Sequence, residues 1–576
     1  MYFLALATDY DGTLAHDGVV TPETRAALQR FKASGRHIIM VTGRQMPDLK
    51  AAFTDLSLFD VIVAENGALL YHPDTGAEHL LVPPPPAGLV ARLKARGVTP
   101  MSVGRGIIAT WEPHEGTVLS VIHELGLEMQ IVFNKGAVMV LRPGTSKATG
   151  LATALGGLGI SLKNTVGVGD AENDHSFLAV CGLSAAVANA LPPLKESCDI
   201  TLTGRNGAGV AELAERVMAE DDALAPPSRH GIMIGRDRDG TPRLLGPGDG
   251  QVLLVGPSGC GKSTLATALT EQMADQGLSF CVLDPEGDYV ELQHAVCIGS
   301  AVAPPNVADA GRLERNMGVN LVINTQALTL AERRRVFARL LTDVTRLREE
   351  TGRPHWLVLD EAHEIAPARC GGPSTALPSG APNALFVTMY PEMLDVEILK
   401  SVRTVLAFGP SPAHFLAAFA DITRTALPPA LPVPAHGELL FWQPASGRPP
   451  TLVHPLPPRQ HHRRHIGKYA TGDVGPWHSF YFRGRDNCIN RPARNLYDFI
   501  DISNDIDDAT WLYHLRAGDY AAWFRHVIRD EELALEADSI AEDMELSARD
   551  SRRRVKRAIW QRYAAPCETV TRAAIV

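Results

Sequence analysis

Asp9 and Asp11 stand two residues apart in TDYDGTL (8–14), directly after the apolar run YFLALA and just before the turn-former Gly12. A carboxylate can attack phosphorus and form an acyl phosphate, which divides one difficult hydrolysis into two easier steps. Its own charge repels the phosphate, so a hard divalent cation with oxygen ligands has to bridge them. A second acid must protonate the leaving oxygen and then activate water. Side chains two apart on a strand point the same way, so Asp9 and Asp11 are expected to share those roles at one strand end. Downstream, IIMVTGR brings the Thr42 hydroxyl to a second strand end and PGTSKATGL opens a helix with Lys147. TVGVGDAENDHSFL then supplies Asp170 and Asp174 for a metal, with Asn173 between them.

These four elements, in this order, resemble the haloacid dehalogenase superfamily of phosphatases over about residues 1–220. AENGALL (64–70) and the Asn-Asp pair of GDAENDHSFL are similar to its Cof-type or sugar-phosphatase branch, subclass IIB. The resemblance implies Asp9 as nucleophile, Asp11 as acid/base, and Thr42 and Lys147 as phosphate ligands. It implies Mg2+ bound by Asp170 with Asp9 and Asp11, while Asp174, also counted with the metal acids, and Asn173 support the site. It further implies a mixed α/β cap at about 72–143, in which Arg105 and Lys135 are candidates for a substrate anion.

A second phosphate device lies in QVLLVGPSGCGKSTLATAL, which fits GxxxxGK[ST] after an apolar strand and before a helical segment. Gly256, Pro257, Ser258, Gly259, Cys260 and Gly261 would cradle a triphosphate with backbone N–H groups. Lys262 would reach the β- and γ-phosphates, and Ser263, followed by Thr264, would ligate magnesium. In HWLVLDEAHE, Asp360 ends a strand as a magnesium-side acid and Glu361 is set to polarise the attacking water. The adjacent glutamate points to P-loop ATPases with extra strands between loop and acid. CVLDPEGDY (281–289) and NALFVTMYPEML (383–394), with Thr388 as a sensor, resemble the HerA/FtsK-type ATPases over roughly 230–450. Arg403 and Arg369 are candidate arginine fingers.

The elements that must hold these residues alternate short apolar runs with amphipathic segments, the pattern of parallel α/β units. RHIIMVTG, NTVGVGD, QVLLVG, SFCVLD and HWLVLDE each end in glycine or an acid, and open parallel sheets bind ligands at such carboxyl ends. In AERRRVFARLLTDVTRLREE the apolar positions 336, 337, 340, 341, 344 and 347 share a helical face. The expected division is a phosphatase at 1–222, a P-loop ATPase at 229–457 and a mainly helical block at 458–576. AEDDALAPPSRHG (219–231) reads as an exposed linker, and DRDG after it as a hairpin turn. The fold class is therefore α/β, with two parallel-sheet domains followed by a C-terminal helical block.

A net charge of −10 over 576 residues excludes a chain-wide grip on nucleic acid. Eight cysteines without a CxxC pair fit reduced thiols, and no apolar run reaches the roughly 20 residues that span a bilayer. The N-terminal MYFLALATDYDG reads as a strand and not a signal peptide, so a cytoplasmic protein is expected. RQHHRRHIGKY (459–469) is open to three readings: phosphate or nucleic-acid contact, metal binding, or a solvated basic linker. GPWHSFYFRGRDNCINRPARNLYDF is read as core aromatics with surface arginines in preference to a base-stacking surface. Trp511, Leu512, Leu515, Tyr520, Trp523 and Phe524 are expected to pack inward.

Three functions stay open. The first is a magnesium phosphatase of a small, sugar phosphate-like metabolite fused to an ATPase. The second is a nucleic-acid motor, a homo-oligomeric ring by resemblance, with an accessory phosphatase; nucleic acid is not the favoured partner. The third is a phosphatase switched by bound ATP.

Overall fold

Each apolar run that ends in glycine or an acid is a buried strand, and the runs assemble into two separate sheets. The computed structural model describes residues 1–257, 260–316, 318–368, 377–378, 380–409, 411–428, 430–435, 437–459, 469–470, 479–484, 489–528 and 530–563. Residues 1–285 and 289–459 form one unit, and 286–288 with 460–576 form another.

The first sheet runs Ile200–Thr201, Leu183–Ala186, Thr165–Gly169, Ala5–Thr8, His37–Val41, Val61–Ala64, Leu69–His72, Ala77–Leu80. Its first six strands are parallel and the last two antiparallel. Ala5–Thr8 is central and fully buried, so Asp9 leaves the sheet at its carboxyl edge between Gly169 and Val41. The cap is an antiparallel sheet ordered Ser102–Val103, Ile108–Trp111, Ala137–Leu141, Gln130–Asn134, packed with the Ala87–Ala95 and Glu115–Glu124 helices. It begins later than the expected residue 72. Leu69–His72 and Ala77–Leu80 continue the ladder of the core sheet, with Ile62 opposite Tyr71 and Leu69 opposite Leu80.

The second sheet has eleven strands among the described residues, with a parallel centre. Gln251–Val255, which enters the P-loop, lies between Val402–Phe408 and Asn383–Thr388; Trp356–Leu359 lies beyond Asn383–Thr388. One strand thus separates the loop strand from the acid strand, as the adjacent Asp360–Glu361 pair implied. Ile232–Asp237 and Pro242–Leu245 form the expected hairpin. Leu330–Thr351 is the expected amphipathic helix, started by a Thr329/Glu332 capping box and ended by Gly352 in the left-handed region.

The two sheets meet at the amino ends of their strands. His355 precedes Trp356–Leu359, and Asn164 precedes Thr165–Gly169; His355 Nε2 donates to Asn164 Oδ1 at 3.0 Å. Ser279 N donates to His355 Nδ1, which fixes the neutral Nε2–H tautomer. His230 is likewise neutral: Nε2 donates to Gly182 O at 2.8 Å, so Nδ1 accepts from the Tyr2 hydroxyl at 2.7 Å. Gly352 is held against Asn164 so closely that a Cβ there would lie 2.3 Å from its Cγ. The supposed exposed linker is docked, because Arg229 donates to the carbonyls of Leu178, Ala179 and Cys181 and pairs with Asp199.

In the other unit, Phe480–Phe482 pairs with Arg491–Ala493, and the helices Leu496–Asp505, Asp508–Arg516, Asp519–Trp523, Glu531–Glu542 and Ala548–Tyr563 follow. Phe480, Phe482, Phe499, Trp511, Leu515, Tyr520, Trp523 and Phe524 are buried together, with Leu512 packed against them. Phe480, Phe482 and Phe499 of the 475–499 stretch are therefore core, whereas Tyr481 is half-buried with Arg483 over its ring. Residues 460–468, 471–478 and 485–488 lie outside the described residues, and so do most of the basic cluster at 459–469.

Candidate active site and nucleotide site

Lys147 is the first residue of the Lys147–Leu158 helix, capped by Ser146. A cation at a helix N-terminus is unfavourable unless acids compensate it. Here its Nζ, 1% exposed, donates to Asp9 Oδ1 and Asp174 Oδ1, each at 2.6 Å. Gly67 (φ +101°) permits this placement: a Cβ there would lie 1.9 Å from the Ser146 carbonyl. Asp174 Oδ2 accepts from the backbone N–H groups of Asp170 and Ala171, so its carboxylate is fixed in the loop. Asp170 accepts from Thr13 Oγ1 at 3.1 Å and from Lys135 Nζ at 2.7 Å.

Ligand atoms of Asp9, Asp170 and Asp174 all lie within 4.8 Å of one another, and all three residues are buried. Hard carboxylate oxygens converging in this way suit Mg2+. Burial, then the Asp174 charge, pushes Asp9 up to about 7. Burial raises Asp170 as well. Burial opposes the charge of Lys147, but Asp174 and Asp9 outweigh it and hold it protonated. A cation between these carboxylates would relieve the strain on their charged forms.

Asp11 does not join this cluster. It lies beyond the strand in the Gly12 turn, where two-residue alternation no longer sets direction, and its carboxylate takes both Arg44 Nε and Nη2 at 2.6 Å. Its carbonyl faces the site instead, 3.5 Å from Lys135 Nζ. Thr42 is at the adjacent strand end, and its hydroxyl accepts from Arg44 N. Asn173 Nδ2 donates to Asn66 Oδ1 at 3.3 Å. Sequence reasoning missed Arg44, Thr13 and Asn189, whose Nδ2 donates to the Gly12 carbonyl. Only the TGR run after Thr42 offered any signal for them.

Of the cap cations, Lys135 enters the site from the turn joining Gln130–Asn134 to Ala137–Leu141, with φ +48°. Arg105 instead pairs with Glu78 of the core sheet. Its N–H and that of Gly106 donate to Glu65, which ties cap to core.

At the second sheet, Gly256, Pro257, Cys260 and Gly261 bound the loop, and Ser258 and Gly259 lie outside the described residues. Lys262, Ser263 and Thr264 start the Lys262–Asp275 helix. Lys262 Nζ folds onto the carbonyls of Gly256 (2.9 Å) and Pro257 (3.0 Å). Val255 pairs with Thr388 and Leu359 with Phe386, so Asp360 and Thr388 reach the same carboxyl edge as the loop. Asp360 is buried, and Glu361, at φ +44°, lies 3.4 Å from His363 Nδ1. That nitrogen is 3.1 Å from Thr388 Oγ1, so Thr388 connects to Glu361 through His363. Arg403 sits at the opposite end, its strand neighbour Val402 pairing with Gln251, and Arg369 lies outside the described residues.

Residues 6–81 and 120–213 match the family of haloacid dehalogenase-like hydrolases, and 247–411 match the AAA domain. Residues of this chain are 30% identical over 207 positions to a phosphoglycolate phosphatase of Halorubrum lacusprofundi, covering 34% of this chain and 89% of that one. A phosphoglycolate phosphatase of Methanothermobacter thermautotrophicus is 29% identical over 223 residues, covering 37% of this chain and 98% of that protein. A solved haloacid dehalogenase-like hydrolase from Bacteroides thetaiotaomicron aligns with TM-score 0.33 at 18% identity, over 37% of this chain and 99% of its own. The chain belongs to the haloacid dehalogenase-like hydrolases. More particularly, it joins a phosphatase domain of that type to an AAA P-loop domain. Among the described residues no helix is long and apolar enough to cross a membrane.

Proposed function

We propose that the protein is a Mg2+-dependent phosphatase of a small phosphate ester carrying a carboxylate, joined to a P-loop domain that binds and hydrolyses ATP. The carrying observation is the buried Lys147 shared by Asp9 and Asp174 beside Asp170. Asp9 attacks phosphorus and the ester oxygen leaves with a proton from Asp11; water then attacks the acyl phosphate, returning its proton to Asp11 and releasing phosphate. For that role the Asp11 carboxylate leaves Arg44 as the ester enters. Lys147 and the Thr42 hydroxyl bind the transferring oxygens. Mg2+, held by Asp9, Asp170 and the Asp11 carbonyl, would neutralise charge between carboxylate and phosphate; Asp174 orients Lys147 and the loop.

The relatives named as phosphoglycolate phosphatases support a carboxylated ester over the sugar phosphate first expected. Lys135 supports it too: this cap cation rests on Asp170 and near the Asp11 carbonyl, and with Mg2+ held there it would turn to the substrate's carboxylate. In the nucleotide domain, Lys262 and Ser263 hold phosphates and magnesium, Asp360 supports the ion and Glu361 polarises water. The strand order and the DPEGDY and sensor segments favour a HerA/FtsK-like engine. The reading includes a cytoplasmic site of action and three domains near 1–222, 229–457 and 458–576.

The test measures phosphate release with Mg2+ from 2-phosphoglycolate, a hexose phosphate and p-nitrophenyl phosphate, each with and without ATP and DNA. The highest kcat/KM for 2-phosphoglycolate is expected. A hexose phosphate preferred tenfold or more refutes the carboxylate assignment.

A further inference from the structure

The Ala548–Tyr563 helix carries, in 16 residues, seven cations against the single acid Asp550. Its buried residues Ser551, Val555, Ala558, Ile559 and Tyr563 pack into the aromatic core, so the opposite side faces solvent. Some cations are spoken for. Arg552 stacks on Trp511 at 5.2 Å and pairs with Asp508 at 3.0 Å; Arg562 pairs with Glu532 and Glu536.

Arg549, Arg553 and Arg557 are exposed, with no ion-pair partner among the described residues. With Lys556 and Trp560 they recur at i, i+4, i+7, i+8 and i+11, one face of a helix spanning about 16 Å. This face lines an open groove of about 1080 Å³, which also takes in Asn504, Leu546 and Asp550. Asp550 is turned to Ser547 Oγ at 2.6 Å. Lys556 meets the Asn504 amide oxygen, and burial, then the Arg552 charge, draws it below its ordinary value. Trp560 is 47% exposed at the end of the row, with Tyr497 against it at 5.3 Å.

We infer that this groove binds the phosphate backbone of single-stranded nucleic acid, with Trp560 stacking on a base. Closely spaced, uncompensated cations suit a polyanion, and an aromatic at the end of the row adds what bases offer and other polyanions lack. A membrane is the poorer fit, because inserting this helix needs a free apolar face and its apolar face is already buried in protein.

The test uses the full chain and fluorescein-labelled dT20 and U20, read by anisotropy from 20 to 300 mM salt, with a dT20·dA20 duplex and vesicles of 30% anionic lipid alongside. The wild type should bind a single strand of either sugar, more tightly than the duplex or the vesicles. Reversal in R549E/R553E/R557E should weaken binding at least tenfold and reduce the salt slope by about 2. W560A should weaken it about fivefold or more. All four side chains are exposed, and unchanged melting and p-nitrophenyl phosphate turnover show that the variants fold. No single-strand binding at 20 mM salt overturns the inference. So does full binding by the triple variant, or tighter binding of the duplex or the vesicles.

Discussion

The Nε2–H of His355, at the foot of the strand leading to Asp360, donates to Asn164 Oδ1, at the foot of the strand leading to Asp170. The phosphatase and the P-loop domain are thus joined at the amino ends of their strands, and their sites open at the carboxyl ends, facing apart. Asn164 also donates from Nδ2 to the Tyr2 carbonyl at 2.8 Å, so its amide serves both domains. Replacing it with leucine would leave His355 and Tyr2 with unsatisfied buried groups, at a cost of about 1–3 kcal/mol each. Asn164→Leu should therefore lower the midpoint of phosphatase inactivation and of P-loop domain unfolding together in a urea titration. Loss at one domain alone would show that the contact does not join them.

Acid should loosen the same junction. Burial pulls His230 down to about 4, and it pulls His355 down too. Above pH 6.5 both are neutral whether folded or unfolded, and the full stability is present. As pH falls toward 4, the unfolded chain takes up a proton that folded His230 refuses, so stability is lost, by about 2 kcal/mol at pH 5. Thermal melts at pH 7.5 and pH 5 should show the loss, and His230→Gln should reduce the difference between them. A variant with an undiminished pH dependence would remove His230 as its source.

Asp9→Asn should lower phosphatase turnover at least about a thousandfold, because an amide cannot form the acyl phosphate. ATP affinity should be unchanged, since Asp9 and the P-loop stand at the ends of strands in two different sheets. Turnover of p-nitrophenyl phosphate at the wild-type rate would mean that another group is the nucleophile.

Lys135 extends over the phosphoryl site from a cap turn and ends 2.7 Å from Asp170. If it holds a substrate carboxylate, Lys135→Met should raise KM for 2-phosphoglycolate about tenfold or more. Ethyl phosphate, which has no carboxylate, should change less than about threefold. An equal loss on both esters would assign Lys135 to the phosphate instead.

The legible parts of this molecule were those fixed by local spacing. Apolar runs ending in Gly169, Gly256 or Asp284 had to be strands, and the face from Phe337 to Leu347 had to be a helix. The motif positions followed, because phosphate sites lie at strand ends. What stayed hidden depends on partners far apart in the chain. Arg44 claims Asp11 across 33 residues, and Lys135 reaches Asp170 from a separate sheet across 35. His230 and His355 carry no motif at all; only packing the two domains together makes them neutral and buried. The row Arg549–Trp560 was obscured for another reason. Its apolar half made the helix look ordinary, and only the filled core behind it leaves the charged half unopposed.

Lys262 and Glu361 should separate binding from hydrolysis. Lys262 Nζ lies on the Gly256 and Pro257 carbonyls, at the position from which it can turn to incoming phosphates. Lys262→Ala removes that charge and should weaken ATP binding about tenfold or more. Glu361 is connected to Thr388 through His363 and follows Asp360 at the end of the Trp356–Leu359 strand. Glu361→Gln should therefore leave ATP affinity within about threefold while lowering turnover about a hundredfold, as loss of a general base does. Titration with a fluorescent ATP analogue gives the first quantity and phosphate release from ATP the second. Equal loss of affinity in both variants would contradict the division, and it would place Glu361 in the nucleotide cradle and not at the attacking water.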